Sequence, residues 1–556
     1  QNFGDAVKQY KRDRNSNELI FLTNKRSLVH FALDTEEIHM TTKLAGEKTF
    51  FLPFNRGFNM GKGNPEIKGN YKTSYLWKEI FEKDSVLELL GQFIFNKNKS
   101  KDNVIFPRFH QWETVRNILK DAGKNGVGKN YLIQHSAGSG KSNSISWLAH
   151  RLASLHNENE DTIFDTVLVI TDRKALDRQL KDTIYQLEKT KGVIEWANIN
   201  SQQLADYLNK GTKIIVTTIQ KFPFALEKIK TLRGKNFAVI IDEAHSSQTG
   251  EMKISLKESL NKIEGENEIE RRIKAQGNSE NISFFAFTAT PKPSTLEMFG
   301  RKNLETGKPI PFHLYSMKQA IEEKFILDVL KNYTSYKMYF GVLKKTIEDP
   351  ELGKRMVSKK VSSFVGEHPT TIEEKTKIMV NHFLESVLFR INNKAKAMVV
   401  TQSREQAVLY KIEFDRYLNH LNKGNIKTIV AFSGTVSDKY IEKEHTESSM
   451  NGFSESETAS KFNQDDYKIL IVANKYQTGF DQPLLHTMYV DKKIFGTNCV
   501  QTLSRLNRTS EHKEETFILD FSNTLKDIEN SFQPYYESTL LDETTEPDII
   551  YDYVNK

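Results

Sequence analysis

Ten short apolar runs, bounded by polar or turn residues and separated by amphipathic stretches of helical period, constrain this chain more than any other feature. Five lie in the first half: Tyr131–Gln134, Val167–Thr171, Ile214–Thr218, Phe237–Asp242 and Ser283–Thr288. The other five are Lys396–Thr401, Thr428–Phe432, Ile469–Ala473, Thr487–Asp491 and Phe517–Phe521. Continuous Val/Ile/Leu/Phe runs of this length suit strands buried on both faces, as in parallel sheets covered by helices. Alternation with helical stretches gives βαβ units and an α/β class. Two sets of runs predict two sheets, hence two lobes.

The 556 residues exceed one ordinary domain, and 38% hydrophobic with 27% charged residues is a globular balance. No run approaches ~18 uninterrupted apolar residues, so no membrane span is expected. The polar opening QNFGDAVKQYKRDRN is no secretory signal. The chain starts on Gln rather than Met, inside what reads as a helix, as a piece of a longer protein would. A single cysteine, Cys499, excludes a disulfide framework and a multi-cysteine zinc site, and the chain reads as cytoplasmic. The net charge of +7 suits a polyanionic partner without requiring one. Asn261–Asn281 and Ser437–Asp466 are polar and highly charged, which predicts exposed insertions or loops. Asn303–Pro311, with Gly307, Pro309 and Pro311, is a candidate hinge between lobes, and residues 1–95 form a separate α+β-like segment.

The segment YLIQHSAGSGKSNSISWLAHRL has a strand–loop–helix layout. Successive N–H groups in such a loop, with the N-terminus of the following helix, make a nest for phosphate oxygens. Gly138 and Gly140 permit close backbone approach, Lys141 can reach the β- and γ-phosphates, and Ser142 offers a hydroxyl to Mg²⁺. His135 stands where the usual pattern has its first glycine. A bare Gly-Lys-Ser could be a turn before a helix; here it follows an apolar strand and opens a helix, which favours a nucleotide. Further on, FAVIIDEAH (Phe237–His245) is an apolar strand ending in two carboxylates. Asp242 would hold Mg²⁺, and Glu243 would orient water for in-line attack on the γ-phosphate. His245 could couple hydrolysis to the second lobe or could cap the turn.

In their order along the chain, D-E-A-H, T-A-T at Thr288–Thr290, T-G-F-D at Thr478–Asp481 and Q-x-x-x-R-x-x-R at Gln501–Arg508 resemble the motifs of superfamily-2 helicases. Longer strings resemble the R subunit of type I restriction enzymes. They include DRKALDRQL (Asp172–Leu180), TTIQKF (Thr217–Phe222), DEAHSSQ (Asp242–Gln248), FFAFTATPKPSTLEMFG (Phe284–Gly300), GEHPTTIEEK, ANKYQTGFDQPLLHTMYVDKK and QTLSRLNR. The likeness covers essentially the whole chain, including KLAGEKTFFLPFN (Lys43–Asn55).

The resemblance implies two tandem RecA-like lobes, parallel sheets with helices on both faces, preceded by the C-terminal remnant of a PD-(D/E)xK nuclease-like domain. The expected divisions are 1–95 for that remnant, 96–305 and 306–535 for the lobes, and 536–556 for the start of a helical region. It implies an ATP-dependent translocase on double-stranded DNA, using ATP and Mg²⁺, that works with methyltransferase (M) and specificity (S) subunits. The catalytic D…E-x-K element of the nuclease is not found before the motor, so the chain is not expected to cut DNA alone. Gln9 matches the Gln of a Q-x-x-x-Y element, or is an exposed helix residue; position 13 is Asp where Tyr would be expected.

By the same resemblance ATP would meet Ser136, Ala137, Gly138, Ser139, Gly140, Lys141 and Ser142, with Arg108 and Gln111 toward the base and Gly479 and Asp481 from the second lobe. Arg505 and Arg508 would be arginine fingers. Thr288, Thr290, Gln501 and His245 would couple the lobes. Arg173, Thr217, Thr218, Gln220 and Lys221 in the first lobe, and Gln402, Ser403, Arg404, Ser433 and Thr478 in the second, would touch DNA phosphates without reading bases. A strand-separating helicase and a nucleotide-gated DNA-binding module without motor output remain as alternatives.

Overall fold

The computed structural model describes residues 2–23, 25–96, 103–171, 180, 183–187, 193–197, 199–232, 234–244, 280–339, 371–438, 443–477 and 480–536. It divides into two compact units, Gln1–Glu323 and Lys324–Lys556. Residues 261–279 of the first charged stretch, and 537–556, lie outside the described residues.

The first unit opens with a helix at Phe3–Lys8, capped by Asn2, whose side chain accepts from the Asp5 N–H. A small antiparallel sheet follows, β1 (His30–Leu33), β2 (Ile38–Thr41) and β3 (Leu52–Pro53). It is not a separate segment. Ile38, Met40, Phe54 and Tyr75 belong to the same apolar core as Phe109, Trp112 and Tyr131. The main elements are α1 (Phe109–Asn125), β4 (Asn130–His135), α2 (Lys141–Ala153), β5 (Thr166–Thr171) and β6 (Ile194–Ala197). They continue as β7 (Ile214–Thr218), β8 (Phe237–Asp242), β9 (Ile282–Thr288) and β10 (His313–Tyr315). Strands β4 to β10 form one seven-stranded sheet in the order β10-β4-β9-β8-β5-β7-β6, parallel at every pairing.

The continuous apolar runs explain this sheet. Tyr131 and Ile133 of β4, Val167 and Val169 of β5, and Ile240 of β8 point into one core, while Leu132, Leu168, Ile170 and Ile241 point into another. Successive side chains alternate between faces, so a strand with helices on both sides needs apolar residues at every position. The hinge expected at Asn303–Pro311 is instead an antiparallel hairpin, Arg301–Lys302 against Pro309–Ile310, and β10 beyond it joins the first sheet beside β4. The first unit thus runs past the 305/306 division to Glu323.

The second unit comprises β11 (Tyr333–Ser335), α3 (Ile372–His382), β12 (Lys396–Thr401), α4 (Arg404–His420), β13 (Lys427–Ala431) and β14 (Tyr467–Val472). It continues with β15 (Leu485–Asp491), α5 (Gly496–Leu503) and β16 (Phe517–Asp520), and a helix at Leu525–Tyr536 follows. Its six-stranded sheet, β11-β16-β15-β12-β14-β13, is also parallel throughout. These are the two parallel, helix-covered sheets expected of RecA-like lobes.

The charged stretch Ser437–Asp466 is not simply an exposed loop. Short helices at Glu447–Asn451 and Thr458–Phe462 pack on β13 and β14, with Phe462 fully buried. Glu447 is also fully buried; it accepts from the Phe432 N–H (3.0 Å), the Thr458 hydroxyl (2.6 Å) and the Lys475 ammonium (2.7 Å). A buried carboxylate is tolerable only with such partners. Among the described residues no helix is long and apolar enough to cross a membrane.

Two outcomes follow from these buried polar groups. Lys475→Met leaves the Glu447 carboxylate without its cation and should lower unfolding free energy by about 3 kcal/mol in a denaturant titration. His382, on α3, is buried against Phe517 and 2.8 Å from the Tyr489 hydroxyl, and burial pushes its pKa down to about 4. The unfolded chain, with a histidine pKa of about 6.5, takes up this proton first, so stability is full above that pH and falls as the pH drops toward the native value. At pH 5 the loss from this one group is about 2 kcal/mol, and His382→Gln should flatten the fall in melting temperature between pH 7 and pH 5.

Candidate nucleotide site

In parallel α/β sheets functional groups gather at the carboxyl ends of the strands. β9 lies between β4 and β8, with Thr288 paired to Gln134 and Phe287 to Asp242. Three segments distant in sequence therefore end side by side: the loop after β4, the acidic pair after β8 and Thr288–Thr290 after β9.

The loop Ser136–Gly140 connects β4 to α2, and its glycines hold backbone angles that L side chains rarely adopt, φ 90° at Gly138 and 81° at Gly140. A Cβ at Gly140 would also meet Gln111 Nε2 at 2.7 Å. Lys141 is the first residue of α2, and its ammonium lies 3.7 Å from a Glu243 carboxylate oxygen, with both side chains largely shielded from water. Glu243 itself sits at φ 52°, a left-handed conformation that costs a non-glycine residue about 1–3 kcal/mol and is typical of functional positions. Asp242, at the end of β8, and Ser142, in the first turn of α2, are both partly exposed.

The residues around this loop fit a triphosphate. Ser136 and Ser139 are buried, and their hydroxyl oxygens have no hydrogen-bond partner among the described residues. With Lys141 at the helix N-terminus, the loop offers donors and positive charge in one place. Ser142 and Asp242 are the oxygen donors that could hold Mg²⁺, which prefers carboxylate, hydroxyl and phosphate oxygens.

His135 takes no part in the cradle. It ends β4, is fully buried, and its Nε2 lies 2.9 Å from His313 Nδ1 and 3.2 Å from the Thr114 hydroxyl. Gln111 is also buried: its Nε2 donates to the Gly140 carbonyl (3.1 Å) and its Oε1 accepts from the Arg108 N–H (3.0 Å). In this structure Gln111 braces the loop from behind rather than presenting a free amide to a base. Arg108 is buried, beside Tyr315 and Glu323, and burial lowers its pKa. Ala137 is buried at the edge of the loop. Thr288 and Thr290 are fully buried, the Thr290 N–H donating to the Thr288 hydroxyl at 3.1 Å.

Of the expected DNA contacts in this unit, Thr217 is fully buried and donates its hydroxyl to the Ala197 carbonyl, so it is not presented to a phosphate. Thr218 is buried, Lys221 donates to the same Ala197 carbonyl at 2.8 Å, and Gln220 is exposed. Arg173 and His245 lie outside the described residues.

In the second unit Arg505 and Arg508 follow α5 rather than riding on it. Arg505 is buried, donating to the carbonyls of Gln501 (3.0 Å) and Phe480 (3.2 Å). Arg508 is half-buried and pairs with Asp481 at 3.0 Å. Lys513, which motif reading passed over, holds this turn: its ammonium donates to the carbonyls of Pro483, Leu506 and Arg508. Burial and the neighbouring Arg508 charge push the Lys513 pKa down to about 7. Only the fold brings those three carbonyls together, so no short pattern announces the role.

At the strand ends of this unit, exposed Arg404 donates to the carbonyl of exposed Ser433 (3.0 Å), which links the ends of β12 and β13. Ser403 caps α4 through the Gln406 N–H, and the exposed Gln402 accepts from the Lys493 N–H. Thr478 and Gly479 lie outside the described residues.

Residues 110–349 match the family model of the SWI2/SNF2 ATPase, and residues 437–523 match that of domain 3 of the type I restriction enzyme subunit R. The HindI type I restriction enzyme endonuclease subunit of Haemophilus influenzae is 26% identical over 497 residues, 83% of this chain and 44% of that subunit. The SauCOLORF180P type I restriction enzyme endonuclease subunit of Staphylococcus aureus is 25% identical over 465 residues, 78% and 45% respectively. The chain spans about half the length of the curated relatives it matches. Among solved structures, the ATP-dependent Type ISP restriction-modification enzyme LlaBIII bound to DNA aligns over 96% of this chain and 39% of that one, at 14% identity and a TM-score of 0.47. The SWI2/SNF2 match covers most of the first parallel-sheet unit and the domain 3 match lies within the second, so this chain is similar to the SWI2/SNF2 ATPase and to type I restriction enzyme R subunits.

Proposed function

We propose that this chain is the ATP-hydrolysing motor of a type I restriction enzyme R subunit, one that translocates on duplex DNA. The observation that carries the reading is the approach of Lys141 to Glu243 at the shared carboxyl edge of β4 and β8. A phosphate-binding lysine and a carboxylate able to polarise water stand a few ångströms apart, which is what phosphoryl transfer to water needs.

In this reading the N–H groups of Gly138, Gly140 and Lys141 bind the phosphate oxygens. Lys141 leaves its contact with Glu243 to pair with the β- and γ-phosphates. The freed Glu243 carboxylate then orients the attacking water. Ser142 and Asp242 would hold Mg²⁺, which would neutralise phosphate charge. Arg505 and Arg508 supply positive charge to the transferring phosphoryl group, and Arg508 must first exchange its Asp481 partner. Thr288, Thr290 and Gln501 transmit the nucleotide state. Gln220, Lys221, Gln402, Ser403, Arg404 and Ser433 contact the DNA backbone, supported by the net positive charge. Sequence recognition and methylation belong to S and M subunits of the same complex.

Lys141→Ala and Glu243→Gln separate binding from chemistry. Lys141→Ala should lose Mg·ATP binding by calorimetry while keeping its circular dichroism spectrum. Glu243→Gln should bind Mg·ATP at least as well as wild type and lose hydrolysis by about a hundredfold or more. Wild-type turnover in either variant would contradict the assignment.

A further inference from the structure

Behind the phosphate loop lies a run of buried histidines. His110, on α1, is stacked on Tyr315 of β10, with ring centroids 3.9 Å apart and planes 11° from parallel. Its Nε2 is 3.2 Å from the Ser139 carbonyl oxygen. Burial holds the His110 pKa well below the ordinary histidine value, so the ring is neutral and donates one N–H to Ser139. Tyr315 is fixed in turn: its carbonyl accepts from the Ser136 N–H at 2.9 Å, and its hydroxyl donates to Glu323 at 2.7 Å.

A trans peptide places its C=O and the following N–H on opposite sides. Drawing the Ser139 carbonyl back toward His110 therefore turns the Gly140 N–H the other way, out of the loop. The same strand holds the near end of the loop through Ser136 and, through the His110 ring, its far end at Ser139.

We propose that His110, held flat against Tyr315, is a positioning residue for the phosphate loop: its hydrogen bond fixes the Ser139–Gly140 peptide so that the Gly140 N–H is aimed at a bound phosphate. This rests on the ATP reading above. The ring touches no phosphate and acts only through the loop. Tyr315 gives the imidazole its orientation, so the two residues act as one unit.

The test uses Mg·ATP titrated calorimetrically into the full 556-residue chain, with steady-state hydrolysis in parallel. His110→Phe keeps an aromatic ring for Tyr315 and removes the donor; His110→Gln keeps a donor at the Nε2 position. Loss of one neutral hydrogen bond to the loop should raise the Kd and KM of His110→Phe about fivefold to tenfold, with kcat and binding stoichiometry near wild type. His110→Gln should recover most of that loss. A purely structural role would instead reduce stoichiometry and kcat together at unchanged Kd, in both variants, and would overturn the proposal; so would a His110→Phe Kd equal to wild type. If His110→Phe does not fold, a Kd in His110→Gln close to wild type, with Tyr315→Leu weakened, supports positioning, and equal Kd in all three proteins refutes it. Failure of the wild-type chain to bind Mg·ATP would refute the ATP reading itself, an outcome distinct from these.

Discussion

The insertion of β9 between β4 and β8 is the constraint on which the first unit depends. Parallel pairing in the registers Thr288 to Gln134 and Phe287 to Asp242 brings the ends of three strands, far apart in sequence, to one edge. That alignment puts the Lys141 ammonium within 3.7 Å of Glu243 and sets Thr288–Thr290 beside both. It requires strands apolar on both faces, because each is covered by helices above and below. Chemistry at the edge and burial along the strands thus follow from one sequence pattern.

The central strands were legible because each is a continuous apolar run, and all ten runs fold as strands within a residue or two of the expected limits. The short outer strands were not. β10 is only His-Leu-Tyr, β11 only Tyr-Thr-Ser, and β6 carries Glu195; each is defined by a neighbour already in the sheet rather than by its own composition. The charged stretch Ser437–Asp466 misled for a related reason. Glu447 looks like a surface residue until Lys475, Thr458 and the Phe432 N–H converge on it.

The site shows the same division. Lys141 and Glu243 could be read from local patterns, since a loop glycine and a strand-end carboxylate have few other uses together. The support behind them could not. Gln111 looked like a group for the adenine base, yet its amide is held by Gly140 and Arg108. Thr217 looked like a phosphate contact, yet its hydroxyl is committed to Ala197 within the sheet. His135 was a departure from a glycine pattern, and the fold gives it a buried place against His313 and Thr114. In each case a polar side chain is satisfied by a partner remote in sequence, as burial demands.

In the proposed function, ATP hydrolysis at Lys141 and Glu243 drives movement along duplex DNA. Displacement of a triplex-forming strand from a linear duplex, followed with the chain in the presence of M and S subunits, tests it most directly. The expected result is displacement that requires ATP hydrolysis, stops in Glu243→Gln, and leaves a forked duplex paired. ATP hydrolysis with no displacement of the third strand, or displacement without hydrolysis, would contradict it.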